Sequence, residues 1–194
     1  MVNSMVDFAP KKTSPLDGVA SPSGVVTLAE KRFVGKVNIR GNADDAAFAG
    51  AAETVLGTVL PVTPNTVAQA RGYTVFWLGP DEWLIHTPED AQSSLILALQ
   101  AAFAGQHSAV TDVSDYYVII EMRGDHARDI LARGCPLDLH ERTFKPGHCA
   151  QSYFANAAIL LHQVDGGAYD IQVRWTFAQY LWDYLSQCAE QMVA

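Results

Sequence analysis

The chain has 194 residues, of which 49% are apolar and 18% charged, so it can bury a core and is not disordered as a whole. Its 13 basic and 21 acidic side chains give a formal net charge of −8, which disfavours binding to nucleic-acid phosphates. Only 3 cysteines are present and none forms a C-x-x-C pair, which excludes a disulfide framework and a zinc ribbon and indicates a reducing compartment.

No targeting or membrane-spanning segment is predicted. Residues 1–10 do not place an apolar run after a basic one, as a signal peptide would. The uncharged stretch 91–110 is interrupted by Gln, Ser and His side chains, which is typical of a helix in water rather than of a membrane span. We therefore expect a cytoplasmic protein that does not bind membranes.

The first elements can be predicted in chain order. Residues 1–24 are rich in proline, glycine and serine and lack apolar periodicity, so an extended N-terminal arm is predicted. A strand is expected around residues 37–39. Apolar residues at helical spacing predict a helix over residues 48–56, ended by Gly57. Two prolines indicate that the next segment, 60–69, is a loop.

A hairpin and a second helix are predicted next. Residues 73–78 are β-branched and aromatic, and residues 83–86 return after a Gly-Pro-Asp-Glu turn. Thr87 and Pro88 fit the N-cap and the first position of a helix. The second helix is therefore predicted to begin at Thr87.

The second half repeats this pattern with two strands, a short helix, a hairpin and a last helix. An Arg-Gly step follows an apolar strand in each half, at Arg40 and at Arg123, and the two hairpins have nearly the same separation. A duplicated β-α-β-β-α unit is therefore predicted, with halves at 25–106 and 107–194 in one domain. Because hairpins dominate, we expect an α+β fold with mixed or antiparallel sheets and helices packed on them.

The common signatures of nucleotide-binding and hydrolytic sites are absent from the sequence. It has no G-x-G-x-x-G, no G-x-x-x-x-G-K-[ST], no G-x-S-x-G and no H-E-x-x-H. Asp112 and Asp115 could form a carboxylate pair for acid–base catalysis, but Asp-Val-Ser-Asp between two strands is more typical of a turn capped by its side chains.

Histidine and cysteine give weak candidates for a site. His140, His148 and Cys149 are the only cluster with metal-ligand chemistry, but their spacing matches no common zinc module. Cys135 follows a predicted helix C-terminus, where the helix dipole disfavours the thiolate that a nucleophile needs. No catalytic, cofactor-binding or metal-binding residue is assigned, and a role of Cys135, His140 and Cys149 beyond structure stays open.

The last predicted helix, residues 177–192, carries one candidate contact residue. At about 100° per residue, its predicted buried stripe consists of Phe177, Tyr180, Leu181, Tyr184, Leu185, Cys188 and Met192. Trp182 falls off this stripe, and aromatic side chains off the core face are enriched at protein interfaces. Trp182 is therefore predicted to contact a partner protein.

Four segments together resemble one family. They are residues 79–84 (GPDEWL), 133–140 (RGCPLDLH), 144–151 (FKPGHCAQ) and 173–182 (VRWTFAQYLW). In order and spacing they are similar to the gamma subunits of heterotetrameric sarcosine oxidases, over most of the chain. One departure is Trp175, where the family often has a smaller residue such as serine.

This resemblance implies a fold like the folate-binding domains of aminomethyltransferases and a place in a flavoenzyme complex. The complex oxidatively demethylates sarcosine to glycine, reduces oxygen to hydrogen peroxide and passes the methyl carbon to tetrahydrofolate as 5,10-methylenetetrahydrofolate. The resemblance implies alpha, beta and delta subunits as partners, and these hold FAD, FMN, NAD, tetrahydrofolate and zinc. The gamma subunit holds no cofactor, so a non-catalytic role in assembly is expected for this chain.

Two other functions remain open from the sequence. The implied fold also suits a stand-alone folate-binding or aminomethyltransferase-like protein, although a fold does not fix a function. The second alternative is a scaffold for an unrelated amine dehydrogenase.

Overall fold

The structure is a computed structural model that describes residues 12–22 and 24–192. Of the predicted N-terminal arm, residues 1–11 and residue 23 lie outside this described part. Within it, Leu16 is buried and belongs to the larger hydrophobic core. The described portion of the arm therefore packs against the folded domain.

The described residues form four α-helices and ten strands. The helices are α1 (Ala46–Leu56), α2 (Gln92–Ala102), α3 (Ala127–Ala132) and α4 (Ala178–Glu190). The strands are β1 (Thr27–Glu30), β2 (Gly35–Arg40), β3 (Val67–Ala70), β4 (Tyr73–Gly79), β5 (Glu82–Thr87), β6 (Ala109–Asp112), β7 (Tyr117–Arg123), β8 (Cys149–Phe154), β9 (Ala157–Asp165) and β10 (Ala168–Arg174). Two 3₁₀ turns, Ser114–Tyr116 and Trp175–Phe177, precede β7 and α4.

The strands make two five-stranded antiparallel sheets of the same design. One sheet has the order β6-β2-β5-β4-β3 and the other has the order β1-β7-β10-β9-β8. In each sheet the first edge strand, β6 or β1, is followed by four strands from one half of the chain. These four strands have the same order in both sheets, β2-β5-β4-β3 in one and β7-β10-β9-β8 in the other. The expected α+β class is confirmed, and the described sheets are purely antiparallel.

The two sheets exchange their first edge strands. β1 precedes β2 along the chain but pairs with β7, whereas β6 precedes β7 but pairs with β2. Matching backbone hydrogen bonds extend both pairings: Val113 N–H donates to the Lys36 carbonyl, and Lys31 N–H donates to the Ile119 carbonyl, each over 2.9 Å. Each sheet is therefore completed by a strand from the other half of the chain.

The sheets lie face to face, with helices on their outer sides. On β2 and β5, Val37 and Trp83 point toward α1 and α2 and form one core with them. The alternate side chains point the other way, since successive residues of a strand face opposite sides. Phe76 and Leu84 of one sheet thus meet Leu160 of the other in a small apolar layer. The described residues form four layers, helix, sheet, sheet and helix.

Two strands arise where the sequence predicted loops. β3 begins at Val67, inside the segment 60–69, and β8 occupies Cys149–Phe154. Each half is therefore β-β-α-β-β-β-α, in which the first strand is the exchanged one, rather than the predicted β-α-β-β-α. Both strands lie at sheet edges opposite the exchanged strands, where they need one partner only, so their sequences lack a long run of β-branched residues.

The second helix begins later than predicted. Thr87 ends β5, where it pairs with Gly35, and its hydroxyl donates to the Pro88 carbonyl over 2.8 Å. Asp90 has a φ of 62°, which a right-handed helix cannot contain. The helix therefore begins at Gln92, without a side-chain N-cap.

Candidate functional site

Two cavities meet at the 3₁₀ turn Ser114–Tyr116, between the two sheets. The larger cavity has a volume of about 860 Å³ and the smaller about 800 Å³. The larger cavity is lined by residues of the arm, the β1–β2 connection, β2, the start of α2 and both 3₁₀ turns, among them Lys12, Phe33, Lys36, Gln92, Tyr116 and Trp175. The smaller cavity is lined by Asn38, Glu82, Leu84, Asp112 and Gln151, among others.

Lys36 is the most unusual side chain of the larger cavity. It is a lysine of β2 with 3% of its surface exposed. Its Nζ donates to the carbonyls of Val34 and Ser114 over 2.8 and 3.2 Å. Burial lowers the pKa of Lys36 to about 8, although the more distant carboxylates favour its charged form. The site therefore presents a desolvated ammonium group held by backbone oxygens.

Aromatic rings form another wall of the larger cavity. The rings of Tyr116 and Tyr117 meet edge-on, with centroids 4.6 Å apart. The Arg174 guanidinium lies over the Tyr116 ring, 5.4 Å from its centroid, in cation–π geometry. Trp175 follows directly and remains 39% exposed. Such walls suit contact with a flat, partly apolar group.

One polar contact joins the two sheets, and an ion-pair cluster lies within one of them. His86 Nε2 lies 2.7 Å from Gln172 Oε1, and because an amide oxygen only accepts, this nitrogen is the donor. Burial lowers the pKa of His86 to about 3, against the effect of that hydrogen bond. Lys31 Nζ contacts Asp170 at 2.7 Å and Glu121 at 3.1 Å. Burial opposes the Lys31 charge, but these two carboxylates outweigh it and raise the pKa of Lys31.

The two aspartates considered for acid–base catalysis form a turn instead. Asp112 Oδ1 accepts the backbone N–H of Ser114 over 2.9 Å and its hydroxyl over 2.6 Å. This is the side-chain cap that the turn interpretation predicts. Asp115 is exposed and lines both cavities. The described geometry therefore gives Asp112 a structural role.

The two cysteines named from the sequence are buried and act as packing residues. The thiol of Cys149 lies 3.6 Å from the Thr66 carbonyl and 3.7 Å from the Trp77 carbonyl. Burial raises the pKa of Cys149 to about 12, so its thiol is protonated near neutral pH. Cys135 Sγ lies 3.7 Å from the Ser152 hydroxyl. The thiol of Cys149 is therefore not activated as a nucleophile would be.

The histidines considered as metal ligands point to separate contacts. His140 is exposed, and its Nδ1 accepts the backbone N–H of Arg142 over 3.2 Å. His148 meets the ring of Phe144 edge-on at 6.0 Å. In the part of the chain that the structure describes, no three His, Cys, Asp or Glu side chains are grouped as for a metal ion.

The predicted exposure of Trp182 is wrong. Only 4% of this residue is exposed, and its ring belongs to the larger core. The small residues Ala178 and Ala189 are fully buried, so α4 packs closely on the face that they share with Trp182. Phe177, Tyr180 and Tyr184, predicted to be core residues, are each more than one third exposed instead. A partner contact of Trp182 itself stays a prediction.

Three partly exposed rings at the start of α4 and along it form what we call the aromatic surface: Phe177, Tyr180 and Tyr184. They are 39%, 37% and 36% exposed, respectively. The Phe177 and Tyr180 centroids are 6.3 Å apart, and those of Tyr180 and Tyr184 are 6.1 Å apart. Neighbouring rings of this kind are typical of contact surfaces between proteins.

The sequence pattern did not reveal Lys36. Its position in β2 follows strand alternation, and a lysine there is ordinarily assigned to solvent. The available signal was the repeat: counting back from the Arg-Gly steps, Lys36 aligns with Ile119, an apolar residue.

No helix among the described residues is long and apolar enough to span a membrane.

Comparison with known proteins identifies the family. The family model described as "Sarcosine oxidase, gamma subunit family" matches residues 40–191. A relative from Corynebacterium sp. (strain P-1), named sarcosine oxidase subunit gamma, is 32% identical, covering 99% of this chain and 98% of its own. A relative of the same name from Arthrobacter sp. is 33% identical with the same coverage.

Solved structures match the fold. A chain of the heterotetrameric sarcosine oxidase from Corynebacterium sp. U-96, in complex with pyrrole 2-carboxylate, is 26% identical with a TM-score of 0.87, covering 94% of this chain and 97% of that one. The glycine cleavage system aminomethyltransferase T from Bartonella henselae is 12% identical with a TM-score of 0.61, covering 84% of this chain and 45% of that one, and shares the fold. The chain belongs to the sarcosine oxidase gamma subunit family.

Proposed function

We propose that the chain is the gamma subunit of a heterotetrameric sarcosine oxidase, an oxidoreductase complex, and that it supports the assembly of that complex. The observation that carries the proposal is the TM-score of 0.87 with a chain of such a heterotetramer, over 94% of the present chain. Relatives named gamma subunit also match from end to end.

The proposed complex oxidatively demethylates sarcosine to glycine, hydrogen peroxide and 5,10-methylenetetrahydrofolate. Its alpha, beta and delta subunits carry the reaction and hold FAD, FMN, NAD, tetrahydrofolate and zinc, and this chain is non-catalytic. In support, the thiol of Cys149 and Nδ1 of His140 are engaged in structural contacts. Free thiols at all three cysteines fit the reducing cytoplasm as the site of assembly.

The aromatic surface is the proposed contact with another subunit of the complex. Phe177, Tyr180 and Tyr184 present rings that are more than one third exposed. Aromatic side chains are enriched in the cores of protein interfaces because they bury a large area at a small entropic cost. Behind them, the buried Trp182 fixes the position of α4.

Co-expression tests the assembly role. The tagged chain is produced together with candidate alpha, beta and delta chains, and the purified material is examined by native mass spectrometry, visible spectroscopy and a sarcosine-dependent peroxide assay. We expect a complex containing one copy of each chain, with flavin absorbance and peroxide formation. Omission of this chain should lower the yield of the complex. Full assembly and activity of the other three chains alone would contradict the proposal.

A further inference from the structure

The two described sheets have four edge strands, and three of these are hydrogen-bonded to a further segment. Thr66 and His148 form a bridge that joins the beginnings of β3 and β8. At β1, the N–H of Leu28 donates to the hydroxyl of Ser21 in the arm over 3.0 Å. At β6, by contrast, no further segment of the described chain is hydrogen-bonded to the backbone of the outer edge.

Two residues of β6 turn their backbone groups toward this open edge. Val113 N–H donates to the Lys36 carbonyl over 2.9 Å, so Val113 faces β2. In an antiparallel pair, residues alternate between facing the partner strand and facing away from it. Thr111 therefore faces β2, whereas Val110 and Asp112 direct their N–H and C=O groups outward. Such a row of unpaired groups is a template for another strand.

The other repeat shows how the same edge is completed. β1 and β6 are the exchanged strands, and Leu28 pairs with Met122 as Val110 pairs with Ile39. Met122 and Ile39 each precede an Arg-Gly step, so Leu28 and Val110 are equivalent. Leu28, beside the arm, is 2% exposed, whereas Val110 is only partly buried. One repeat therefore has a covering segment that the other lacks in the described chain.

The arm supplies β1 with two contacts. The Ser21 hydroxyl accepts the outward N–H of Leu28, and Leu16 is buried in the same hydrophobic core as Leu28. A segment beside β6 would have to accept the N–H of Val110 and add an apolar side chain to the core against which Val110 packs. An extended chain can do both, since its carbonyls accept along a strand and alternate side chains turn to one face.

The open edge ends in negative charge. Asp112 ends β6 and Asp115 lies in the 3₁₀ turn that follows, and both are exposed. Neither forms an ion pair in the part of the chain that the structure describes. Both act on the charge of Lys36, but this lysine is buried and the two carboxylates outnumber it. A segment with a basic side chain at this end of β6 is therefore favoured by charge complementarity.

We propose that the open edge of β6 binds an extended segment of another subunit, which pairs with it as an added strand. The backbone of that segment bonds to Val110 and Asp112, an apolar side chain packs beside Val110, and a basic side chain lies next to Asp112 and Asp115. The proposal rests on the proposed function, because a complex with one copy of this chain leaves the edge to a different subunit. A second copy is disfavoured because it would bring its own aspartates to the same edge.

Val110→Pro tests the pairing, because it removes an N–H that no bond in the described chain uses. Proline is tolerated in an edge strand where the N–H points outward. Gln69→Pro in β3 is the matched control, since Gln69 lies two residues after Val67, whose N–H also leaves the sheet, toward the Gly147 carbonyl. Val110→Pro should fold and lose about tenfold or more of the complex recovered with the other subunits, whereas Gln69→Pro should lose none. Normal assembly of folded Val110→Pro would overturn the proposal.

Amide hydrogen exchange gives a readout that needs no variant and decides even if Val110→Pro does not fold. In the free chain, the N–H groups of Val110 and Asp112 should exchange rapidly, while that of Thr111, which pairs with Asn38 of β2, is protected. In the assembled complex, exchange at Val110 and Asp112 should slow by about tenfold or more. The same rapid exchange in the complex would overturn the proposal.

Native mass spectrometry of the same samples separates the remaining outcomes. If the free chain forms dimers in which the Val110 N–H is already protected, the edge belongs to a second copy and the proposal is wrong. If the unaltered chain recruits no other subunit, the proposed function fails and the edge site fails with it. If the complex forms but Val110 and Asp112 exchange as in the free monomer, the edge site alone fails.

Discussion

Lys36 pairs with His86 across strands β2 and β5, so two titratable side chains enter the space between the sheets from neighbouring positions. Burial lowers both pKa values, to about 8 for Lys36 and about 3 for His86. The charge on Lys36 adds to the lowering at His86. Each of these two side chains therefore binds its proton less readily in the folded chain than in the unfolded chain, and the two pH ranges concerned each give a prediction.

The alkaline range tests Lys36. The pKa of Lys36 falls from 10.5 to about 8 on folding, so between these values this lysine binds more proton in the unfolded chain and its contribution to the free energy of unfolding rises with pH. Urea unfolding between pH 8 and 9 should show this rise in the unaltered chain and not in Lys36→Met, because above pH 9 the raised pKa of Cys149 acts in the opposite sense. The exposed Lys145→Met serves as the control and should keep the rise. Parallel pH profiles for all three proteins would contradict the prediction.

The acidic range tests His86. Its pKa falls from 6.5 to about 3 on folding. Between these pH values His86 is protonated in the unfolded chain but neutral in the folded chain. The free energy of unfolding therefore falls as the pH drops below 6.5. His86→Gln should flatten this part of the profile, whereas His140→Gln, at an exposed histidine, should not. A profile of His86→Gln as steep as that of the unaltered chain would argue against a buried neutral imidazole.

Trp182 and Tyr180 should change stability in the opposite order to that expected from the sequence. Trp182→Ala removes a ring from the larger core and should cost about 3–5 kcal/mol of unfolding free energy. Tyr180→Ala removes a ring that is 37% exposed and should cost roughly 1–2 kcal/mol, since less area leaves the core. Chemical denaturation of both variants measures the difference. A smaller loss for Trp182→Ala would contradict the burial described above.

The glycine after Arg123 secures the exchanged strand β1. Gly124 has a φ of +143°, and an added Cβ would stand 2.5 Å from the Val25 carbonyl oxygen. Gly124→Ala should therefore lower the free energy of unfolding by about 1–3 kcal/mol or more, because backbone must move. Gly166→Ala, where an added Cβ meets no atom within 4 Å, is the matched control and should change it by less than about 0.5 kcal/mol. Equal thermal midpoints for the two variants would refute this account.

The aromatic surface should matter more for assembly than for folding. Replacing Tyr180 and Tyr184 together by serine should leave the chain folded but lower the amount of complex recovered with the other subunits by about tenfold, as for interface residues worth more than 1 kcal/mol. Leu97→Ser, at a 68% exposed apolar residue of α2, is the matched control. Native mass spectrometry measures both. Normal assembly of the tyrosine variant would contradict the prediction and show that the interface lies on another surface.

The sequence was informative where local chemistry decides the structure. The β-branched and aromatic run of β4 and its return in β5 were predicted within one residue or so, and Gly57 does end α1 in the left-handed conformation, with a φ of 76°. The Arg-Gly steps at Arg40 and Arg123 lie at the ends of β2 and β7, as the predicted repeat requires. These signals act over a few residues and do not need a partner.

Features that depend on packing partners were missed. β3 and β8 exist because β4 and β9 offer them an edge, which no local pattern encodes. The buried stripe of α4 was misplaced because Tyr180 and Tyr184 were counted as core residues, whereas the helix packs through the face that carries the fully buried Ala178. Lys36 was missed because its burial results from the turn Ser114–Tyr116, which lies far along the chain. The cavity is likewise formed by segments that meet only in the fold.

The exchange of edge strands also constrains the order in which the domain can form. β1 is synthesised early, yet its partner β7 is synthesised only after the whole of the first repeat. The pairing of Thr27 with Arg123 therefore cannot form until then. Loop closure over such a distance is slow, and an unpaired strand edge is prone to wrong association in the meantime. The first repeat, for its part, lacks β6 until the second begins. We therefore expect the two halves to fold together after synthesis rather than one after the other, with the vulnerable interval lying before β7 appears.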